Sequence, residues 1–213
     1  VNLKDSLVLF LNLLSFFCIF RYTATQRPFW IFLFFAALSL FWWIRYYLPV
    51  IILLSIGLWF LTQWSSPKKI LAIPLFIGFA VIFFPMLSLK TEYIALHEPL
   101  FGMFRYLLSP QPWSVGEDYS FLLIPSLLHW VFFFPALVAA HDLWRTVPQF
   151  RMLIFFLAIV TLFYGIVPEL QEPRHRFQVA FIFTWLQFHV IAVRFLVVHP
   201  APINQIMLRE VSS

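Results

Sequence analysis

Charged residues are scarce in this chain of 213 residues: only 11% are Asp, Glu, Lys or Arg, whereas 62% are hydrophobic. The mean hydropathy is +0.90. A soluble domain carries roughly 25% charged residues, because its surface must be covered with groups that water solvates. The scarcity of charge therefore excludes a soluble enzyme, a disordered protein and a nucleic-acid-binding protein.

Cysteine is nearly absent as well. Cys18 is the only one, so no disulfide can form within the chain and no cysteine-based metal site exists. Because Cys18 lies inside an apolar run, we interpret it as a small buried hydrophobic residue. The fingerprints of HExxH metalloproteases, P-loop NTPases, GxSxG hydrolases and dinucleotide-binding proteins are also missing from the sequence.

Long apolar runs are abundant, and seven of them approach the roughly 20 residues that a helix needs to cross a bilayer. The runs are continuous rather than alternating, which is not the pattern of a β-barrel. We therefore predict an all-α fold, a polytopic transmembrane helical bundle that forms a single domain over 1–213. The predicted spans are 6–20, 29–44, 48–64, 70–89, 121–140, 152–170 and 177–193. Only 45–47 separates the second span from the third, so the two form either a tight hairpin or one long bent helix.

The connections between these spans alternate between two sides of the membrane. Eight of the 14 basic residues fall on one side: Arg21, Arg27, Lys68, Lys69, Arg145, Arg151, Arg194 and Arg209. The positive-inside rule assigns that side, with the C-terminus, to the cytoplasm. The N-terminus is then on the exterior side, in the periplasm or another exterior compartment. We expect an integral membrane protein, and a bacterial inner membrane is the location that we favour. The exterior side also holds the loops near 45–47, 90–120 and 171–176.

The exterior loop 90–120 contains an amphipathic segment. Its apolar residues follow helical spacing: Phe101, Phe104, Leu107 and Leu108. Pro99 can start a helix there and Pro110 ends it, with Arg105 on another part of the turn. We predict a helix near 100–109 that lies along the membrane surface at the depth of the lipid headgroups. A packing or re-entrant helix without a ligand is the alternative.

The turn before the last span carries a second group of polar residues. Arg174, His175 and Arg176 directly precede that span. Guanidinium groups suit phosphate oxygens, and a helix N-terminus adds free N–H groups and a positive dipole end. The turn is therefore a candidate site for a phosphate or pyrophosphate on a lipid headgroup. Alternatively, it pairs with Glu169 and Glu172 or with bulk lipid.

Two segments stand out, Phe104-Arg-Tyr-Leu-Leu-Ser-Pro-Gln-Pro-Trp113 and Glu172-Pro-Arg-His-Arg-Phe177. The first is similar to a loop of multi-spanning polysaccharide-biosynthesis proteins, and the second resembles their arginine-rich turn before a late span. These proteins are similar to GT-C glycosyltransferases and to O-antigen or exopolysaccharide polymerases. The resemblance covers roughly 97–190.

The resemblance implies a polytopic helical enzyme that acts on polyprenyl-phosphate-linked sugars at the exterior face. Arg174 and Arg176 would hold the lipid phosphate that leaves, with His175 beside them, and Arg105 would assist from the surface helix. GT-C enzymes place a catalytic carboxylate in their first exterior loop. No acidic loop follows the first span here, so this chain departs from the family at that point.

Exterior carboxylates are the candidates for a general base that takes the proton of the acceptor hydroxyl. In order of preference they are Glu98, Glu169, Glu117 and Asp118. No metal site is predicted, although these carboxylates could bind a divalent cation weakly.

A non-catalytic membrane subunit is the second hypothesis. Its spans would pack against partner subunits, and its basic turn would bind a lipid headgroup. The chain begins with Val1 rather than Met, so we expect it to be processed or part of a longer chain. A transporter is a weaker third hypothesis, because no charged residue lies in the middle of a span.

Four polar residues lie inside the predicted spans: His129, Gln178, Gln187 and His189. We interpret His129, Gln187 and His189 as mainly structural. Polar groups at membrane depth are costly and tend to face the interior of the bundle. His129 lies between Pro125 and Pro135, whose kinks free carbonyl groups that could accept a hydrogen bond from its ring.

Overall fold

The computed structural model describes residues 3–62, 99–108, 111–114, 120–121, 123–166 and 177–195. Over these residues every regular element is a helix and no strand occurs, which confirms the all-α prediction for this part of the chain. The α-helices are α1 (Leu3–Thr25), α2 (Pro28–Arg45), α3 (Tyr47–Thr62), α4 (Pro99–Leu108), α5 (Leu123–Thr146), α6 (Phe150–Ile166) and α7 (Phe177–Phe195). A 3₁₀ turn covers Pro112–Ser114.

Three of these helices, α1, α2 and α5, are long and apolar enough to cross a membrane. Helices α3 and α6 contain 16 and 17 residues, and the apolar stretch of α7 covers Gln178–Val193. These three are shorter than the roughly 20 residues that span an average bilayer. The seven predicted spans are therefore confirmed only in part, and the predicted span 70–89 lies outside the described residues.

The apolar runs locate the helices but miss their polar ends. Helix α5 continues to Thr146, well past the predicted limit at 140. Its last turns contain Asp142 and Arg145, and these charged residues lie outside the apolar run from which the span was predicted. A helix can nevertheless extend beyond the hydrocarbon region, where charged side chains reach water or headgroups.

Helices α2 and α3 are two separate helices with Tyr46 between them, as the hairpin interpretation predicts. Arg45, at the end of α2, lies beside the start of α1. Near the far end of α3, Trp59 Nε1 donates to the Pro148 carbonyl oxygen at 2.8 Å, in the turn between α5 and α6. Helix α3 therefore runs back through the bundle. Pro49 favours the break, because it has no N–H to continue the hydrogen-bond ladder of α2.

The interior of the bundle is built from aromatic and branched side chains. Helix α1 packs along α2, α3 along α6, and α5 along α7. Where α1 meets α6, the rings of Phe16 and Phe156 lie edge to face with centroids 5.0 Å apart. Among helices that face lipid, such contacts stabilise through dispersion rather than through removal of apolar surface from water.

Helices α4 and α6 cross at two glycines. A Cβ atom on Gly102 would overlap the carbonyl oxygen of Gly165, and a Cβ on Gly165 would overlap Met103. The absence of side chains lets the two backbones touch, as small residues do at close helix crossings in membranes. This crossing holds α4 against the end of α6.

Helix α4 confirms the helix predicted near 100–109 and its start at Pro99. Phe101 and Phe104 of the predicted apolar stripe are mostly exposed, whereas Gly102 and Tyr106 are buried against the bundle. The sequence analysis did not predict which residues of this helix contact the protein. Periodicity identifies the faces of a helix but not which face meets the protein.

Candidate functional site

Five polar side chains meet at the end of the bundle where α1 begins. They come from the start of α1, the end of α2, the start of α3, the end of α6 and the start of α7. We call them the Arg45 cluster: Asp5, Arg45, Tyr47, Tyr164 and Gln178. The alternating connections predicted from the sequence bring these helix ends to one side, and the cluster shows that they do meet.

An ion pair forms the charged part of the Arg45 cluster. Arg45 Nη2 donates to Asp5 Oδ1 at 3.0 Å, and only 10% and 11% of the two side chains is exposed. Charges this deeply buried are tolerated when they are paired and hydrogen-bonded. Arg45 Nη1 also donates to the hydroxyl groups of Tyr47 at 3.0 Å and Tyr164 at 3.4 Å.

A chain of neutral hydrogen bonds continues from this pair into the bundle. The hydroxyl oxygens of Tyr47 and Tyr164 are 2.6 Å apart. Gln178 Nε2 donates to the Tyr164 hydroxyl at 2.5 Å, and Asn12 Nδ2 donates to the Gln178 carbonyl oxygen at 3.3 Å. In a low-dielectric interior such linked bonds reinforce one another, so the cluster fixes the ends of α1, α2, α3, α6 and α7 together.

Helix α4 joins the cluster through one aromatic ring. Tyr106 is fully buried and stacks on Tyr164, with ring centroids 5.0 Å apart and planes 10° apart. The next residue back, Arg105, is exposed, and its guanidinium carbon lies 5.6 Å from the centre of the Phe101 ring. Arg105 is one of the predicted phosphate-binding residues. The stacking of Tyr106 holds it near the cluster, but its own side chain is exposed.

The other predicted site residues lie outside the described residues. These are the candidate bases Glu98, Glu169, Glu117 and Asp118, and the basic residues Arg174, His175 and Arg176. Their roles remain predictions. The structure nevertheless describes the helices before and after the turn that contains Arg174–Arg176. Tyr164 lies near the end of α6, and Gln178 lies at the start of α7.

The sequence analysis did not identify Asp5, Arg45 or Tyr164 as site residues. Arg45 entered it only as part of the exterior connection 45–47, and Asp5 was given no role. One signal was available, since an acid near the start of one span and a base at the end of the next meet when the two helices are antiparallel. Tyr164 gave no signal of its own among so many aromatic residues.

No family model, curated protein or solved structure matches the chain.

The Arg45 cluster combines one carboxylate, one guanidinium, two hydroxyls and an amide. Arginine offers donors in a planar fork that fits both carboxylate and phosphate oxygens. Asp5 occupies part of that fork, so an entering anion would have to compete with it. Among the described residues, no group of three or more His, Cys, Asp or Glu side chains is placed to hold a metal ion.

His129 links α5 to the last turn of α4. Its Nε2 lies 2.8 Å from the Leu107 carbonyl oxygen, and Trp130 Nε1 donates to the Leu108 carbonyl oxygen at 2.8 Å. Gln187 Nε2 approaches His129 Nδ1 at 3.5 Å. The acceptor is thus a carbonyl at the end of α4, where helix carbonyls lack internal partners, rather than one freed by a proline kink in α5. The structural role predicted for His129 fits this contact.

A separate cleft lies between α5 and α7, toward the far end of the bundle. It measures about 210 Å³ and is lined by Pro135, Val138, Ala139, Asp142, His189, Val190 and Val193. The wall is apolar except for Asp142 and His189. Asp142 Oδ1 also lies 3.7 Å from Nδ1 of the exposed His141.

Proposed function

We propose that the chain is a membrane glycosyltransferase-like or polysaccharide-polymerase-like protein that acts on polyprenyl-phosphate-linked sugars at the exterior face of a bacterial inner membrane. The observation that carries the proposal is the bond from Gln178 to Tyr164 within the Arg45 cluster. It joins the two helices between which the Arg174–Arg176 turn runs. A buried polar cluster of this kind is expensive in a bilayer and is typically retained for function.

The outer faces of the long helices support the membrane location. Large apolar side chains are exposed there: Phe32, Phe35, Leu40 and Trp43 on α2, and Ile124, Val131, Phe134 and Leu137 on α5. A soluble protein rarely exposes such continuous apolar faces. Lipid tails cover them without cost, which is consistent with three helices long and apolar enough to cross a membrane.

In the proposed reaction, an exterior carboxylate takes a proton from the acceptor hydroxyl. Glu98 and Glu169 are the first candidates, followed by Glu117 and Asp118. The acceptor oxygen then bonds to the anomeric carbon of the sugar, and the bond from that carbon to the phosphate oxygen breaks. The phosphate keeps the bonding electrons, and positive groups that are fixed in advance stabilise its growing charge.

Arg174 and Arg176 are the proposed partners of that phosphate, with His175 between them in the sequence and Arg105 assisting from α4. The Arg45 cluster acts through position, because it fixes the helix ends before and after the turn. A weakly held divalent cation on the exterior carboxylates would supply additional positive charge near the phosphate.

The test is the double variant Arg174→Ala/Arg176→Ala in proteoliposomes, compared with Arg27→Ala/Arg145→Ala, which removes two exposed charges from the opposite end of the bundle. We expect the first variant to lose binding of polyprenyl phosphate, measured by native mass spectrometry, and transfer of the lipid-linked sugar. The control should retain both. Undiminished product from the first variant would contradict the proposal.

A non-catalytic membrane subunit is the second candidate, and a specific observation favours it. The charges of Asp5 and Arg45 neutralise each other, and the exposed apolar face of α2 offers a surface for a partner helix. In that case Arg174→Ala/Arg176→Ala would disturb assembly or lipid content but leave the rate per assembled complex unchanged. A purified chain that is monomeric and turns over substrate would contradict this candidate.

A further inference from the structure

Four buried polar side chains lie on the helices that form the Arg45 cluster: Gln178, which belongs to the cluster, and Asn12, Ser15 and Thr161, which do not. At most 2% of each residue is exposed. Within the described part of the chain, one oxygen of each lacks a hydrogen-bond partner, namely Asn12 Oδ1, Ser15 Oγ, Thr161 Oγ1 and Gln178 Oε1. Buried polar atoms without a partner are rare in native proteins, and each one calls for an explanation.

The four side chains lie on α1, α6 and α7, and two hydrogen bonds link these three helices. Asn12 and Ser15 are three residues apart on α1, as are Thr161 and Tyr164 on α6, and residues at this spacing share a helix face. Asn12 Nδ2 donates to the backbone carbonyl oxygen of Gln178 at 3.3 Å, and Gln178 Nε2 donates to the Tyr164 hydroxyl at 2.5 Å. These two bonds join the faces of α1 and α6 through α7.

The four oxygens form a matched set of donors and acceptors. The amide oxygens of Asn12 and Gln178 only accept hydrogen bonds, whereas the hydroxyls of Ser15 and Thr161 can donate. One water molecule donates two hydrogen bonds and accepts two, and buried waters typically make two to four bonds to polar groups that are otherwise unsatisfied. We propose that Asn12, Ser15, Thr161 and Gln178 form a buried water-binding site that links α1, α6 and α7.

Charge favours water over a cation at this site. Neutral oxygens could also surround a monovalent cation, but the four side chains carry no charge to balance it. The nearest carboxylate in the hydrogen-bonded network, that of Asp5, is already paired with Arg45. A cation would therefore add an uncompensated charge to an apolar bundle that already contains a buried guanidinium, which is costly.

The site would tie the first turn of α7 to α1 and α6 independently of the Arg45 ion pair. It does not depend on the proposed enzyme activity, because it rests only on the satisfaction of buried polar groups.

The test compares two serines that are both fully buried within helices. Ser55 Oγ donates to the Ile51 carbonyl oxygen at 2.7 Å, so Ser55→Ala removes a known hydrogen bond and is the matched control for Ser15→Ala. If Ser15 and Thr161 are hydrated, Ser15→Ala and Thr161→Val each lower the melting temperature of the purified chain in detergent by about 2–4 °C, as the control does. If both variants leave it unchanged or raise it while Ser55→Ala lowers it, the proposal is wrong, because removal of an unsatisfied hydroxyl relieves a cost.

Water-edited solid-state NMR of the wild-type chain in lipid bilayers gives a second measurement that does not depend on the folding of any variant. We expect rapid transfer of magnetisation from water to the side-chain amide of Asn12, assigned by its loss in Asn12→Leu. No transfer to that amide would overturn the proposal. A cation at the site would also overturn the proposal. It would make the melting temperature higher in sodium chloride than in choline chloride of equal ionic strength, and Thr161→Val would abolish that difference.

Discussion

At the scale of single residues, the Asp5–Arg45 pair makes the clearest prediction. Removing one partner of a buried ion pair leaves an uncompensated charge and typically costs about 3–5 kcal/mol, whereas replacing both with apolar residues is often nearly neutral. We therefore expect Asp5→Ala to lower the free energy of unfolding by about that amount, and Asp5→Leu/Arg45→Met to lower it far less. Unfolding of the purified chain in mixed micelles measures both changes.

The control for this prediction is Arg27→Met, which removes an exposed arginine and should change the free energy of unfolding by less than about 1 kcal/mol. Equal losses in Asp5→Ala and in the double variant would show that the pair itself stabilises the bundle. That result would contradict the view that the cost arises mainly from an orphaned charge.

The same residues show where sequence reasoning ends. The burial of Cys18 could be predicted from its apolar surroundings, and the structure confirms it. The contact between Asp5 and Arg45 joins residues 40 apart in the sequence and depends on how α1 and α2 pack. Nothing local distinguishes either residue from an ordinary charge at the end of a span, so only the antiparallel arrangement of α1 and α2 could have pointed to the pair.

At the scale of helices, the close crossing of α4 and α6 makes the second prediction. A methyl group at Gly102 would meet the backbone of Gly165, and backbone atoms cannot move aside as a flexible side chain can. We expect Gly102→Ala to destabilise the chain by about 1–3 kcal/mol, the usual cost of overpacking. Leu100→Ala, on the exposed side of the same helix, is the control and should have little effect on unfolding.

A stability of Gly102→Ala equal to that of the control would mean that α4 is not held by this crossing. Intrinsic helix propensity works in the opposite direction, because alanine favours a helix by about 1 kcal/mol over glycine. A lower free energy of unfolding in Gly102→Ala can therefore be attributed to the packing of α4 against α6. The stacking of Tyr106 on Tyr164 should weaken in the same variant, which a change in near-ultraviolet circular dichroism would report.

Helix positions were more predictable than helix contacts. Pro99 and the spacing of apolar residues predicted α4, because both follow from local rules. For α2 and α3 the apolar runs left a hairpin and one bent helix both open, and the structure shows two helices. The packing face of α4 was not predictable, since it depends on a glycine of α6 more than fifty residues away. The predicted lipid-phosphate site depends on Arg174, His175 and Arg176, which lie outside the described residues.

At the scale of the whole molecule, orientation in the membrane makes the last prediction. The excess of basic residues predicts that the turn between α1 and α2 faces the cytoplasm and that the segment near Ser120 faces the exterior. Cys18 is fully buried, so replacing it with Ala gives a cysteine-free background with little change in packing. Gln26→Cys and Ser120→Cys then place single thiols at exposed positions near opposite ends of the bundle.

A membrane-impermeant maleimide applied to intact spheroplasts should label Ser120→Cys at once and Gln26→Cys only after permeabilisation. The reverse pattern would put the Arg45 cluster and the Arg174–Arg176 turn on the cytoplasmic side. Those arginines would then be explained by the positive-inside rule alone, and a lipid-phosphate site at the exterior face would have no electrostatic basis. The predicted pattern would instead leave a group of arginines on the side where that rule disfavours them, which is the condition under which a bound phosphate becomes their best explanation.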